Sequence, residues 1–139
     1  LEKLTRHLAD NAIDEDAVTA AARVHKYFVT AAPLHHEDEE VDLFPRLRRH
    51  DAALGDAIAA LEAEHQSMAE AWAALEPELA DLTRIDDRDA FGERVATFCK
   101  LYRTHIVSEE MNCLSKAEDL LTADDLKALG AAMEARRNK

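Results

Sequence analysis

Two histidine–carboxylate pairs occur at helical spacing, His35 with Glu39 and His105 with Glu109, and a third histidine, His65, lies between them in the chain. Side chains at i and i+4 share one helix face about 6 Å apart, so both members of a pair can serve one centre. Neutral imidazole nitrogens and anionic carboxylate oxygens together make a donor set for a divalent or trivalent metal ion. With seven His and 29 Asp plus Glu in the chain, one such pair alone would carry little weight. Most exposed pairs at this spacing are solvated faces worth about 0.3–0.5 kcal/mol.

These pairs sit on apolar stripes. In the third helical segment the stripe runs Leu54, Ile58, Leu61, Met68, Trp72, Leu75 and Leu79, and its one break is filled by His65. In the fourth it runs Phe91, Val95, Phe98 and Tyr102, then His105 and Glu109 at the same four-three spacing. The second carries Ala21, Val24, Phe28 and Ala31, followed by His35 and Glu39, with Leu43 beyond. Three helices thus aim imidazoles inward, and two add a carboxylate one turn later. An unpaired carboxylate in a bundle core costs several kcal/mol, and a bound cation would offset that cost. His36 and Glu40 form an adjacent pair rotated by about 100°. They are the alternative register, expected to support the site or a helix interface.

The elements that must position these residues can be read from caps and breakers. Residues 1–11 read as the end of a helix. A turn at 11–16 carries the cap candidates Asp14 and Asp16, and a long helix follows from about Asp16 to Arg49, predicted to kink at Pro33 and Pro45. A loop at 50–55 leads to a helix ending near Leu79. A polar linker at 81–87 precedes a helix from about Asp89 to Leu121. Thr122 with Asp125 three residues on resembles a capping box opening a last helix. Short connections between long helices make antiparallel neighbours. The expected fold is all-α, an up-down-up-down four-helix bundle with a short C-terminal fifth helix, in a single domain over 1–139. Counted from the turns, His35, His65 and His105 come out level to within a turn or two.

Composition agrees with this and excludes other classes. The 139 residues hold three Gly and three Pro and are 47% hydrophobic, which suits a helical globular domain. Lys plus Arg number 17 against 29 Asp plus Glu, a net charge of −12, so a nucleic-acid partner is not expected. No apolar run approaches the roughly 20 residues of a membrane span. Cys99 and Cys113 fall in one helical segment about 21 Å apart, too far to pair. No signal peptide is visible, and the cytoplasm is the expected location.

The motifs His35-His-Glu-Asp-Glu39-Glu-Val-Asp-Leu-Phe-Pro45, Glu64-His65 and His105-Ile-Val-Ser-Glu109-Glu110, in this order, resemble those of the hemerythrin-like, HHE cation-binding domains. The resemblance covers nearly the whole chain. It implies a non-haem di-iron site between the helices, held by His35, His65 and His105 and bridged by Glu39 and Glu109, with zinc or manganese as other metals the donors would accept. Glu110 is the alternative to Glu109, since some members use a carboxylate at i+5. The chain departs from the pattern twice. Oxygen carriers of the family have a second histidine four residues on in the third helix, where this chain has Ala69. They also place one on the first helix. His7 is the one candidate here, but it lies roughly 20 Å from the required level. The first helix is therefore expected to be truncated, with the level position before Leu1.

The functional expectation is an iron-binding protein that takes dioxygen or a related small ligand, or acts in iron handling or sensing. A binding protein is favoured over an enzyme. The alternatives are a redox enzyme acting on peroxide or nitric oxide at the same site, and a metal-free helical interaction module. Self-association is left open, since a shortened first helix would expose an apolar groove. Tyr102, one turn before His105, is expected to pack in the core. His7, His25 and His50 are expected at the surface or its boundary.

Overall fold

The computed structural model covers residues 1–139 and contains helices and turns with no strand. Helix α1 (Glu2–Asp10) leads into α2 (Glu15–Glu37), which continues through a π-helical segment, π1 (Asp38–Leu43), into α3 (Phe44–His50). Helix α4 (Gly55–Ala80) returns, and α5 (Arg88–Glu109) runs back through a second wide segment, π2 (Glu110–Leu114), into α6 (Ser115–Leu120). Helix α7 (Ala123–Arg137) closes the chain. Packing of α1 on α2 and α5, and of α4 on α2 and α5, gives the antiparallel four-helix arrangement, with α7 laid across π1.

The sequence signals that start these helices act locally. Asp14 caps α2 by accepting a hydrogen bond from the Ala17 backbone N–H at 2.8 Å. Asp87 accepts from the backbone N–H groups of Asp89 and Ala90 to open α5. Thr122 and Asp125 form the reciprocal capping box of α7. Each satisfies donors that a helix start leaves unpaired, an interaction worth about 1 kcal/mol.

The long second helix expected to Arg49 is divided into α2, π1 and α3. Helix α2 passes through Pro33 without ending. Pro33 and Val29, whose carbonyl loses its i+4 partner, both lie on the exposed face, where water can take that carbonyl. The change of winding falls just ahead of Pro45, one of the two prolines expected to disturb this helix. The Phe44 N–H bonds back to the Glu39 carbonyl, five residues away, and Pro45, which has no N–H to donate, follows directly in the first turn of α3. The fourth rod, expected to be regular to Leu121, also changes winding at π2 and ends at Leu120.

Two apolar clusters fill the bundle, one at each end. Leu4, Leu8, Ala21, Leu75, Phe91 and Phe98 belong to the first. Phe44, Leu47, Ile58, Leu61 and Cys113 belong to the second. On α4 the sequence positions between them include His65, and on the fourth rod His105 and Glu109. On the second rod Glu39 holds the same place. The bundle therefore has a polar layer between two hydrophobic ones. Both cysteines are free. Burial, with Glu109 and Glu39 nearby, pushes the Cys113 thiol up to about 12, so it packs as a neutral apolar group.

Candidate metal centre

Glu39, His65, His105 and Glu109 each present one donor atom such that all four atoms lie within 4.8 Å of one another, and all four residues are buried. Three helical segments supply them: π1 carries Glu39, α4 carries His65, and α5 carries His105 and Glu109. Glu39 lies within π1 and Glu109 immediately before π2, so each carboxylate adjoins a wide turn. Such turns recur at functional sites because the extra residue re-aims the side chains around it.

The histidines are held from behind. His65 Nδ1 lies 2.8 Å from Glu40 Oε1, and His105 Nδ1 lies 3.1 Å from Glu64 Oε2. A carboxylate can only accept, so each Nδ1 must be the N–H nitrogen of its ring. In the neutral imidazole that leaves the lone pair on Nε2. The two Nε2 atoms face each other at 3.1 Å. Carboxylate–histidine pairs of this kind fix both tautomer and ring orientation for a metal bound at the opposite nitrogen.

The carboxylate side of the layer is strained for hydrogen bonding and suited to a cation. Both oxygens of Glu39 are buried without a hydrogen-bond partner. His35 Nε2 and His65 Nε2 approach them to 2.6 and 3.5 Å, yet neither approach has the alignment of a hydrogen bond. Glu109 Oε2 lies 2.9 Å from His105 Nε2. Close, converging, poorly aligned donors around one point are what a metal cation satisfies. The residues present therefore fit a metal ion, through two imidazole nitrogens and two carboxylates.

Electrostatics point the same way. Burial by itself would lower the pKa of His65, but Glu39 and Glu40 outweigh it and raise the value. Burial is likewise outweighed at His105, by Glu109 and Glu64. Burial would raise the Glu39 pKa, and contact with His35 and His65 instead holds it down at about 2. The layer is anionic enough to hold a positive charge, whether a proton or a metal.

Of the five residues marked by the sequence, His35 stands outside the group of four. Its side chain is 58% exposed, against 3% for Glu39, and it reaches Glu39 Oε1 from the surface. His35 lies on the regular part of α2, whereas Glu39 lies within π1. His36 of the alternative register faces inward: its ring stacks on His65 with centroids 4.0 Å apart and planes 16° from parallel. Burial and the neighbouring His65 lower its pKa to about 4, so it is neutral at pH 7. Glu110, the alternative to Glu109, is exposed. His7 hydrogen-bonds Asp14 at the α1–α2 turn, and α1 contributes nothing to the polar layer. His25 and His50 pair with Glu76 and Asp125. Tyr102 packs against Phe28 and Phe98. Glu64 is the supporting residue that spacing did not single out as such; its position directly before His65 was the available signal.

A family model described as the hemerythrin HHE cation binding domain matches residues 1–117. An uncharacterized protein of Haemophilus influenzae is 32% identical over 137 residues, spanning 99% of this chain and 79% of that protein.

Proposed function

The chain belongs to the hemerythrin HHE cation-binding domain family, and from that premise we propose that it holds a non-haem iron centre serving dioxygen or a related small ligand, or iron handling. The observation that carries the proposal is the convergence of Glu39, His65, His105 and Glu109 around one point with both Glu39 oxygens unsatisfied. Mixed imidazole and carboxylate donors suit iron, and would also accept zinc or manganese. When bound, iron would supply a redox-active Lewis acid with positions that four protein donors do not fill. Glu39 and Glu109 would neutralise its charge. Glu40 and Glu64 would keep the Nε2 lone pairs of His65 and His105 turned toward it.

A small neutral ligand is favoured by what lies beside the layer. A cleft of about 160 Å³ between α2, α4 and α5 is lined mainly by apolar side chains, among them Phe28, Ala32, Met68 and Trp72. His36, another of its walls, is the ring that stacks on His65. No Lys, Arg, Asp or Glu lines this cleft, so its walls offer no ion-pair partner to a charged ligand. The volume matches that of engineered apolar cavities, about 150 Å³, which take benzene or xenon.

Anaerobic reconstitution with ferrous iron followed by elemental analysis tests the proposal. Wild-type protein is expected to retain iron through desalting, and His105→Ala and Glu39→Ala to lose it. Wild type that retains none overturns the metal function. Retention of zinc or manganese in preference to iron overturns the choice of metal.

A further inference from the structure

Helix α7 lies beyond residues 1–117, which the family model covers, yet its two ends are fastened to the segment that carries Glu39. At its start Asp125, already a member of the capping box, accepts from Arg46 Nη1 at 3.0 Å and lies 2.7 Å from His50 Nε2, both on α3. At its end Arg136 reaches three carboxylates: Glu37 at 3.4 Å, Asp42 at 2.6 Å, and Asp38. Arg137 takes Asp38 in a fork, Nη1 to Oδ1 at 3.1 Å and Nη2 to Oδ2 at 2.7 Å. These are charge-assisted, geometrically specific contacts. Asp38 is only 4% exposed and is the immediate neighbour of Glu39, itself 3% exposed. Glu37 directly precedes the wide turn, and Asp38 and Asp42 lie within it.

We propose that α7 is a clamp for the metal centre, in which Arg136 and Arg137 grip Asp38 and thereby hold π1 in the winding that turns Glu39 into the bundle. A π-helical turn is a rare winding, found mostly as a single wide turn within an α-helix. Shifting it by one residue rotates every side chain on the turn. Two consecutive acidic residues, Asp38 and Glu39, are buried with different partners, the first facing α7 and the second facing the histidines. The arginines neutralise the first and so separate its role from that of the second. Arg136 and Arg137 are thus positioning residues: they act on the donor through Asp38 and touch no atom of the polar layer. The inference rests on the metal-binding function insofar as Glu39 is a ligand. The placement of Glu39 that it asserts can be read without metal.

The test compares Arg136→Ala/Arg137→Ala with Arg94→Ala. The latter removes a forked pair with Glu78, 2.8 and 2.7 Å long, away from α7. In metal-stripped protein, imidazole 15N shifts of His65 and His105 report the position of Glu39. They are expected to move in the double variant and to stay at wild-type values in Arg94→Ala. With cobalt as the probe, the double variant is expected to release metal to a chelator at least tenfold faster than Arg94→Ala, with an altered visible spectrum. Arg136→Lys, which keeps charge without the fork, should fall between. Should the double variant not fold, Arg137→Ala and Arg136→Lys carry the same comparison. Unchanged 15N shifts in the arginine variants overturn the clamp. If wild type takes no cobalt or iron, the metal function fails, while the 15N comparison still decides the clamp.

Discussion

His65 and His105 meet head-on, their Nε2 atoms 3.1 Å apart, while each ring's Nδ1 is held by a different glutamate, Glu40 for one and Glu64 for the other. Two imidazoles so anchored cannot both be neutral and hydrogen-bonded to each other, because both N–H groups are already committed at Nδ1. A positive charge between them would resolve the conflict. A proton is the minimum; a metal ion can also satisfy the two carboxylates beside it.

Replacing the anchors is therefore expected to weaken metal binding without touching a ligand. Glu40→Ala and Glu64→Ala should each lower affinity by about 10–100-fold, the usual cost of losing such a partner. Both variants should remain folded, since Glu40 and Glu64 side chains are 40% and 31% exposed. Chelator competition followed by circular dichroism measures both. Affinity unchanged in both variants would show that the rings are held by packing alone.

Affinity should also rise with pH. The pKa values of His65 and His105 are raised, whereas Glu39 is already ionised above about 2. The protons that compete with a metal near neutrality are thus on the histidines, and binding must release them. Titrations at pH 6, 7 and 8 should show steadily tighter binding with proton release detectable in weakly buffered solution. A flat profile would contradict the proposed role of these nitrogens.

Metal should stabilise the fold by linkage, by about 2.7 kcal/mol at a free concentration a hundredfold above Kd. The double variant Glu39→Leu/Glu109→Leu should lose this dependence. It should also melt above metal-stripped wild type, because desolvated carboxylates give way to apolar side chains. Thermal melts with and without metal decide this. A metal-dependent shift persisting in the double variant would place the ion elsewhere.

The Asp38 clamp predicts a separate acid sensitivity. Burial would raise the Asp38 pKa, but Arg137 and Arg136 outweigh it and hold the value below normal. A carboxyl depressed in the folded state adds stability above its unfolded value near 3.9, lost as pH falls through the lower folded value. Urea melts between pH 6 and 3 should show this loss in wild type and a shallower one in Arg136→Ala/Arg137→Ala. Equal slopes would remove Asp38 from the account.

Filling the cleft offers an independent check on ligand access. Ala69 lines it, and Ala69→Leu should reduce xenon binding, read by 129Xe shifts, while metal content stays at the wild-type level. Unaltered xenon binding would mean that the cleft is not where small apolar molecules enter.

The architecture was legible because its determinants are local and periodic. Four-three apolar spacing marks the buried stripe of each rod, and Asp14 and the Thr122–Asp125 box mark where helices begin. Histidines and glutamates on those stripes stood out because ionisable side chains are costly there. The wide turns were not legible. Asp38–Leu43 and Glu110–Leu114 carry residues compatible with an ordinary helix, and only fit against neighbouring rods selects the extra residue per turn. That is why the spacing of His35 and Glu39 suggested two equivalent donors, while the folded chain buries one and leaves the other at the surface.

The chain's linear order determined which donor types are available, on which helices, and at what height, since rise per residue and turn positions set these within each rod. Tertiary structure decided the rest. It determined that Glu40 and Glu64 hold the two rings, that His36 rather than His35 stacks on His65, and that Arg136 and Arg137 grip Asp38 from nearly a hundred residues away. Helical periodicity constrains angles only within one helix. The rotation of one rod against another is set by side-chain packing between them, and no local spacing encodes it.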